Sequence, residues 1–324
     1  MAKSKSVIAI VFSDLHLNIW AKFNEDNKRT LDGFRVLSSI TDVCEKLKVP
    51  ALFCGDLFHK PETMDQDLYC MWQEFYKDMY KSHGRSDFYL ISGNHGMKHI
   101  SVIGKKPISW ENLICDDKIF HSLDYRHINL DLDTKVYGIP YIDHNIGLSS
   151  YLKKLDLKGK RNILLLHTDY PGAQDTDGRV VDSVENINMN ILNRFDLVLC
   201  GHIHKPQRLG KKVYMIGAPI QQRRTDRDCE MGYWKLYSDL SMKFVPLEGF
   251  PKFIDATSED DIKDDGNYYT VIPQKASIKE VTTHKITKQL SKKKLAHRYM
   301  KARGIKDEVK EALLVDVLKK SEEC

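Results

Sequence analysis

Apolar residues fall into two rhythms along this chain. One is a set of short unbroken runs, VIAIVF, ALF, FYLI, ILLL and LVLC, each stopped almost at once by Gly, Asp, Asn or His. Runs of this length without alternation predict strands buried on both faces. The other rhythm is a three- and four-residue recurrence in LDGFRVLSSITDVCEKLKV and QDLYCMWQEFYKDMYKSHG, which predicts helices between the first three strands. Together they predict an α/β fold: a two-sheet sandwich flanked by helices. Segments 120–142 and 211–246 alternate more strictly and predict antiparallel strands in a second sheet. From residue 250 the composition shifts. The main domain is expected over 1–249, a small strand-bearing cap over 250–276, and a Lys-rich helical tail over 277–324.

With 324 residues, 42% of them hydrophobic, the chain can bury a sizeable core. No apolar run reaches the length of a membrane span, and MAKSKSVIAIVFSDLH lacks a leader-cleavage pattern, so a cytoplasmic protein without membrane attachment is expected. Seven cysteines form no CxxC pair, and several sit inside apolar runs, which predicts reduced thiols in the core. The net charge of +5 is mild, but acids gather over 255–265 and bases in the tail that follows.

The strand ends change the picture. They carry Asp14 and His16 (SDLH), Asp56 (GDLFH), Asn94 and His95 (GNH), His167 (LLH), and His202 and His204 (GHIH). Ligands of open α/β sheets gather at the carboxyl ends of strands, and D-x-H or H-x-H in extended chain sends both side chains the same way. Gly55, Gly93 and Gly201 permit sharp turns or close backbone approach there. Carboxylate, carboxamide and imidazole without thiolate suit Mn, Fe or Zn rather than a structural thiolate zinc. Seven candidate ligands exceed one ion, whereas two ions about 3.5–4 Å apart, bridged by a carboxylate, would clamp both oxygens of a phosphoryl displacement. Taken singly, SDLH, GDLF or LLHTD reads as a turn acid or a satisfied histidine; the specificity lies in the order of all five.

That order resembles the five-motif signature of calcineurin-like metallophosphoesterases over residues 13–204. Within the superfamily, GDLFHK in place of GDxxDRG, GHIHKPQ, and YMIGAP followed by GYW resemble SbcD-type nuclease subunits of recombination and repair complexes, including the compact forms of large phages. The resemblance implies that Asp14, His16, Asp56 and His204 surround one metal, and that Asp56, Asn94, His167 and His202 surround the other, with Asp56 as bridge. Two divalent ions, Mn foremost with Mg, Fe or Zn as alternatives, would carry a bridging hydroxide as nucleophile. His95 takes the position that protonates or stabilises the leaving group, and His59 matches a further histidine of the nuclease subfamily, with a turn histidine as the bland alternative. One departure stands out: the family usually has an acid after GNH, and this chain has Gly96.

Around the cleft, Arg223, Arg224 and Arg227 of QQRRTDRD are candidate DNA contacts, against a solvated loop. The glycine-containing loop TDYPGAQDTDGR after His167 could shape substrate access or be an ordinary insertion. In the tail, Leu295 and Tyr299 interleave with lysines, and Val309, Leu313 and Val317 share a helical face after Gly304. Such faces suit docking on a partner helix. The resemblance supplies the partner, an SMC-like coiled-coil ATPase subunit of SbcC type, in a complex expected to contain a homodimer. The chain is therefore expected to be a two-metal DNA exonuclease and endonuclease. The alternatives are a phosphodiesterase for nucleotides or other small esters and, motivated by Gly96, a metal-bound scaffold without catalysis.

Overall fold

A computed structural model describes residues 5–81, 86–98, 103–116 and 118–272; the basic tail, with Leu295, Tyr299, Val309, Leu313 and Val317, lies outside them. The first half runs β1 (Val7–Phe12), α1 (Lys28–Leu47), β2 (Ala51–Phe53), α2 (Gln66–Lys81), β3 (Phe88–Leu90), α3 (Trp110–Ile114) and β4 (Phe120–Ser122). There follow β5 (Arg126–Asn129), β6 (Thr134–Gly138), α4 (Leu148–Lys154), β7 (Arg161–His167), β8 (Leu197–Gly201), β9 (Gln207–Leu209) and β10 (Val213–Met215). The last strands are β11 (Gly232–Tyr237), β12 (Met242–Pro246), β13 (Phe253–Ala256) and β14 (Tyr268–Val271).

Two six-stranded sheets result, in the orders β12-β11-β1-β2-β3-β4 and β5-β6-β7-β8-β10-β9. The period-two alternation of side chains divides the core into three layers. Ala9, Val11, Leu52, Ile163, Leu165 and Leu199 meet between the sheets. Ile10, Phe12 and Phe53 point the other way, against Phe34, Leu37, Ile40 and Cys44 of α1 and Leu68 and Trp72 of α2. Leu164, Leu166 and Val198 face outward from the second sheet under Leu148 and Leu152 of α4. The strands are apolar on both faces because both faces are covered.

The expected assignment of the later strands needs correction. β11 returns to the first sheet, antiparallel to β1 with Trp234 opposite Val11, and brings β12 with it. β4 also joins that sheet, parallel to β3. The second sheet is mixed, since β6, β7, β8 and β10 run parallel and the edge strands β5 and β9 run antiparallel. Alternation reports which face of a strand is buried, not which sheet it joins. For β11 the choice is made by Trp234 and Leu236, which enter the layer between the sheets, where Trp234 Nε1 donates to the Ile216 carbonyl at 2.9 Å.

β13 and β14 form a small parallel pair. Tyr268 packs on Phe23 with ring centres 5.2 Å apart and donates its hydroxyl to Asp32 Oδ2 at 3.2 Å. The Arg29 guanidinium lies 3.9 Å from the Trp20 ring centre, with Phe253 and Tyr268 on its flank. No helix among the described residues is long and apolar enough to cross a membrane.

Candidate metal centre and active site

Each ligand-bearing loop follows directly on a core strand: β1 delivers Asp14 and His16, β2 Asp56, β3 Asn94 and His95, β7 ends on His167, and β8 is followed by His202 and His204. The first two loops are tied by main chain, with Asp14 N donating to the Gly55 carbonyl and His16 N to the Asp56 carbonyl, both at 3.0 Å. Asp14 (φ 54°), His16 (φ 51°), Asp56 (φ 61°) and His202 (φ 95°) all have positive φ, which L-residues adopt at a cost and which structures tolerate chiefly where a side chain must be aimed. Gly93 leaves room for close approach, because a Cβ there would overlap Asp56 Oδ1.

The loops bring the seven expected ligands together in two groups. Asp14, His16 and His204 offer ligand atoms within 4.8 Å of one another, and so do Asp56, His167 and His202. Asn94 belongs with the second group, its Oδ1 lying 3.0 Å from His167 Nε2 and 3.1 Å from His202 Nδ1. Asp56 lies between them, with Oδ2 3.2 Å from His167 Nε2 and 3.7 Å from His16 Nε2.

The outward nitrogens decide what the inward ones can do. His167 Nδ1 donates to the Cys54 carbonyl at 2.7 Å, since a carbonyl can only accept, and this turns the Nε2 lone pair toward Asp56 and Asn94. His204 Nδ1 donates to Asp226 Oδ2 at 3.3 Å, which turns its Nε2 toward His16 Nε2, 3.1 Å away. His202 Nε2 faces Asp169 Oδ1 at 3.6 Å. Imidazole lone pairs, carboxylate oxygens and a carboxamide oxygen thus converge with few protons among them. A pair of divalent cations satisfies such a donor set, and the residues present fit that requirement.

Charge is distributed to match. Burial pushes His16 well below the usual imidazole range, with His204, His95 and His59 adding to the effect against Asp56. Burial likewise lowers His202, together with His167. Burial opposes charge on His167, but Asp56 beside it prevails and raises it to about 9. Burial also works against ionisation of Asp56, and His167 and His16 overcome it, holding the carboxyl well below its usual range.

His95 stands at the rim of this centre. Its backbone N–H donates to Asp56 Oδ1 at 2.8 Å, and its Nδ1 donates to the His59 carbonyl at 2.8 Å, which leaves Nε2 free for substrate. The His59 ring stacks on His95 with centres 5.0 Å apart and planes 17° from parallel. Trp20 covers His59 at 5.0 Å. Burial and the neighbouring His95 lower His59 to about 4.

The centre opens into a cleft of about 330 Å³. The loop after His167 supplies one wall through Asp169, Asp175 and Arg179. Of the three candidate DNA contacts, Arg223 lines the cleft and pairs with Asp175 at 2.8 Å and Asp226 at 3.4 Å. Arg224 and Arg227 instead engage Asp255 of β13, at 2.5 and 3.0 Å. Asp226 and Glu111 escape a reading of the sequence, and Arg179 is legible there only as the last residue of the loop TDYPGAQDTDGR. Asp226 sits inside RRTDRD, whose arginines draw the eye, and nothing local marks it as the acceptor for a histidine 22 residues earlier.

Residues 9–206 match the calcineurin-like phosphoesterase family. The chain belongs to that family and is a metal-dependent phosphoesterase, with every proposed ligand inside the matched stretch. Among solved structures, it is similar to "GAP50 the anchor in the inner membrane complex of Plasmodium", at 12% identity and a TM-score of 0.45, over 75% of this chain and 84% of that one. It is also similar to a hypothetical protein from Thermus thermophilus, at 14% identity and a TM-score of 0.34, over 65% and 76% of the two chains. Likeness at this level carries no functional weight.

Proposed function

We propose that the protein is a two-metal-dependent DNA nuclease subunit that hydrolyses phosphodiesters and works with an SMC-like ATPase partner. The observation that carries this reading is the His59–His95 stack, of which His95 lines the cleft. GDLFHK places a second imidazole against the proposed leaving-group histidine, where a phosphatase of the GDxxDRG type would have none. Asp14, His16, Asp56 and His204 would hold one ion and Asp56, Asn94, His167 and His202 the other. When bound, the ions would neutralise the phosphoryl oxygens and lower the pKa of the attacking water.

The chain's own groups do the rest. The backbone N–H of His95 fixes Asp56 Oδ1, and the Cys54 carbonyl and Asp226 fix the two imidazoles. As the imidazolium, with protons on both nitrogens, His95 delivers the Nε2 proton to the departing oxygen and is left as the neutral Nδ1–H tautomer, which the His59 carbonyl holds in place. Arg179 and Arg223 on the cleft wall contact the flanking phosphates. The partner would bind through the tail, and the assembly would contain two copies of this chain.

Asp169 and Asp175 on the same wall favour a second reading, a phosphodiesterase for small esters, because acids repel a long phosphate backbone. Purified protein with Mn, given labelled duplex and single-stranded DNA beside bis-p-nitrophenyl phosphate, separates the two. DNA cleavage that falls at least 100-fold in His95→Ser, with Mn binding unchanged, supports the nuclease. Cleavage of the small ester alone supports the second reading, and no turnover of either substrate by protein that binds two Mn would overturn both in favour of a scaffold.

A further inference from the structure

Glu111 is an acid at this centre that no motif contains. It is fully buried near the start of α3, and its Oε1 accepts the Leu57 N–H at 3.2 Å, the amide directly after Asp56. Its Oε2 has no hydrogen-bond partner. The residues before it grip both loops. Trp110 N donates to the Gly96 carbonyl at 3.0 Å and Trp110 Nε1 to the Lys60 carbonyl at 2.9 Å, while Ser109 Oγ meets Ser92 Oγ at 2.6 Å.

Gly96 is what admits Glu111. A Cβ at position 96 would overlap both Glu111 carboxylate oxygens, yet the Gly96 backbone lies outside the left-handed region and would accept an ordinary side chain. The glycine is therefore required by space and not by conformation. The space it opens holds a carboxyl group, beside the histidine after which the sequence lacks an acid.

We propose that Glu111 is a positioning residue for Asp56 and the loop bearing His95, supplying from α3 the acid absent after Asn94–His95, with Gly96 as the receptacle that makes the exchange sterically feasible. The role presupposes Asp56 as the bridging ligand. Asp56 sits at φ 61° immediately after Gly55 at φ 98°, a turn that relaxes unless its polar groups are anchored. The Asp56 carbonyl is taken by His16 N and its Oδ1 by His95 N. Glu111 supplies the remaining anchor on the far side of the Asp56–Leu57 peptide. Without it the Leu57 N–H is left buried and unpaired, and the turn is held only by the bonds to the Asp56 and Leu57 carbonyls and Asp56 Oδ1, so it can shift toward an acceptor and carry the Asp56 carboxylate off its aim.

The test uses the full-length protein, with Mn titrated calorimetrically and bis-p-nitrophenyl phosphate as substrate, so that no DNA is involved. Glu111→Ala weakens Mn binding about 10- to 100-fold and lowers kcat with KM little changed, as loss of a group that orients a ligand does. Glu111→Gln keeps an acceptor for Leu57 N–H and stays within about threefold of wild type. Gly96→Asp alone forces two carboxyl groups into one space and weakens Mn binding. Combined with Glu111→Ala it restores at least tenfold of what Glu111→Ala lost, a rescue that a general folding defect would not show. Wild-type affinity in Glu111→Ala, or a double variant no better than Glu111→Ala, overturns the proposal. Should Glu111→Ala fail to fold, Glu111→Gln and the double variant still decide it, through retained or lost Mn affinity. A wild-type protein that binds no Mn overturns the metal-centre reading as well, a result distinct from a wild type that binds and variants that are indifferent.

Discussion

Removing the acceptor that holds His204 should cost both stability and metal. Asp226 is fully buried, and its Oδ2 accepts from Gln222 N at 2.9 Å, Arg223 N at 3.1 Å and His204 Nδ1 at 3.3 Å. Asp226→Ala leaves these three donors without an acceptor. A buried orphan costs about 1–3 kcal/mol, and some of that is recovered as water enters the hole, so a loss of about 3 kcal/mol is expected in the chelated protein. Asp226→Asn keeps one oxygen for the two amides and loses the charge, at about 1 kcal/mol. Either variant lets the His204 ring turn, and Mn affinity falls about 10- to 100-fold. The penalty of Asp226→Asn also depends on pH. Burial opposes ionisation of Asp226, but His204 and the backbone amides hold its pKa below 3.8. Burial opposes charge on His204, but Asp226 holds its pKa above 6.5. A depressed carboxyl contributes above its unfolded pKa and is lost as pH falls through its folded one, whereas a raised histidine contributes below its unfolded pKa and is lost as pH rises through its folded one. The pair is at full strength between pH 3.8 and 6.5, and the penalty shrinks on both sides of that window. Urea denaturation of chelated protein from pH 3 to 9, with Mn calorimetry at neutral pH, measures both effects. An Asp226→Ala variant within 0.5 kcal/mol of wild type (roughly the scatter of neutral surface substitutions), or Asp226→Asn with undiminished Mn affinity, would refute this account of His204.

Three further outcomes are expected. Arg29→Ala removes the guanidinium stacked 3.9 Å over Trp20 and the 2.5 Å bond to the Gln222 carbonyl, costing about 1–2 kcal/mol, and chymotrypsin should then cut first within residues 253–271; an unchanged digestion pattern would contradict the anchoring role. Mn at 100 times its dissociation constant should stabilise the fold by about 2.7 kcal/mol, so EDTA should lower the melting temperature by about 5–10 °C in scanning fluorimetry, and a melt indifferent to EDTA would speak against metal at these groups. Among the described cysteines, exposed Cys70 should react first with iodoacetamide, while Cys44 and Cys200, buried and pushed up to about 12, stay unmodified in native protein; peptide mass spectrometry reads the order.

What the sequence determined by itself is local. An apolar run stopped by Asp, Asn or His is contained within ten residues, and such runs announce both a buried strand and the donor atoms at its end. The helices beside the first strands were legible for the same reason, since Phe34, Leu37, Ile40 and Cys44 recur at helical spacing and do face the core. Which sheet a strand joins was not legible: β11 lies beside β1, more than 200 residues earlier, because Trp234 and Leu236 fit the layer between the sheets. The grouping of donors and the aim of each ring were likewise decided only by tertiary structure. An imidazole's free nitrogen is fixed by whatever accepts from the other one, and those acceptors, Cys54 for His167 and Asp226 for His204, come from different parts of the chain. Gly96 shows the same division. Read in sequence it is a missing acid; in the folded chain it is the space that Glu111 occupies, 15 residues later and from another element.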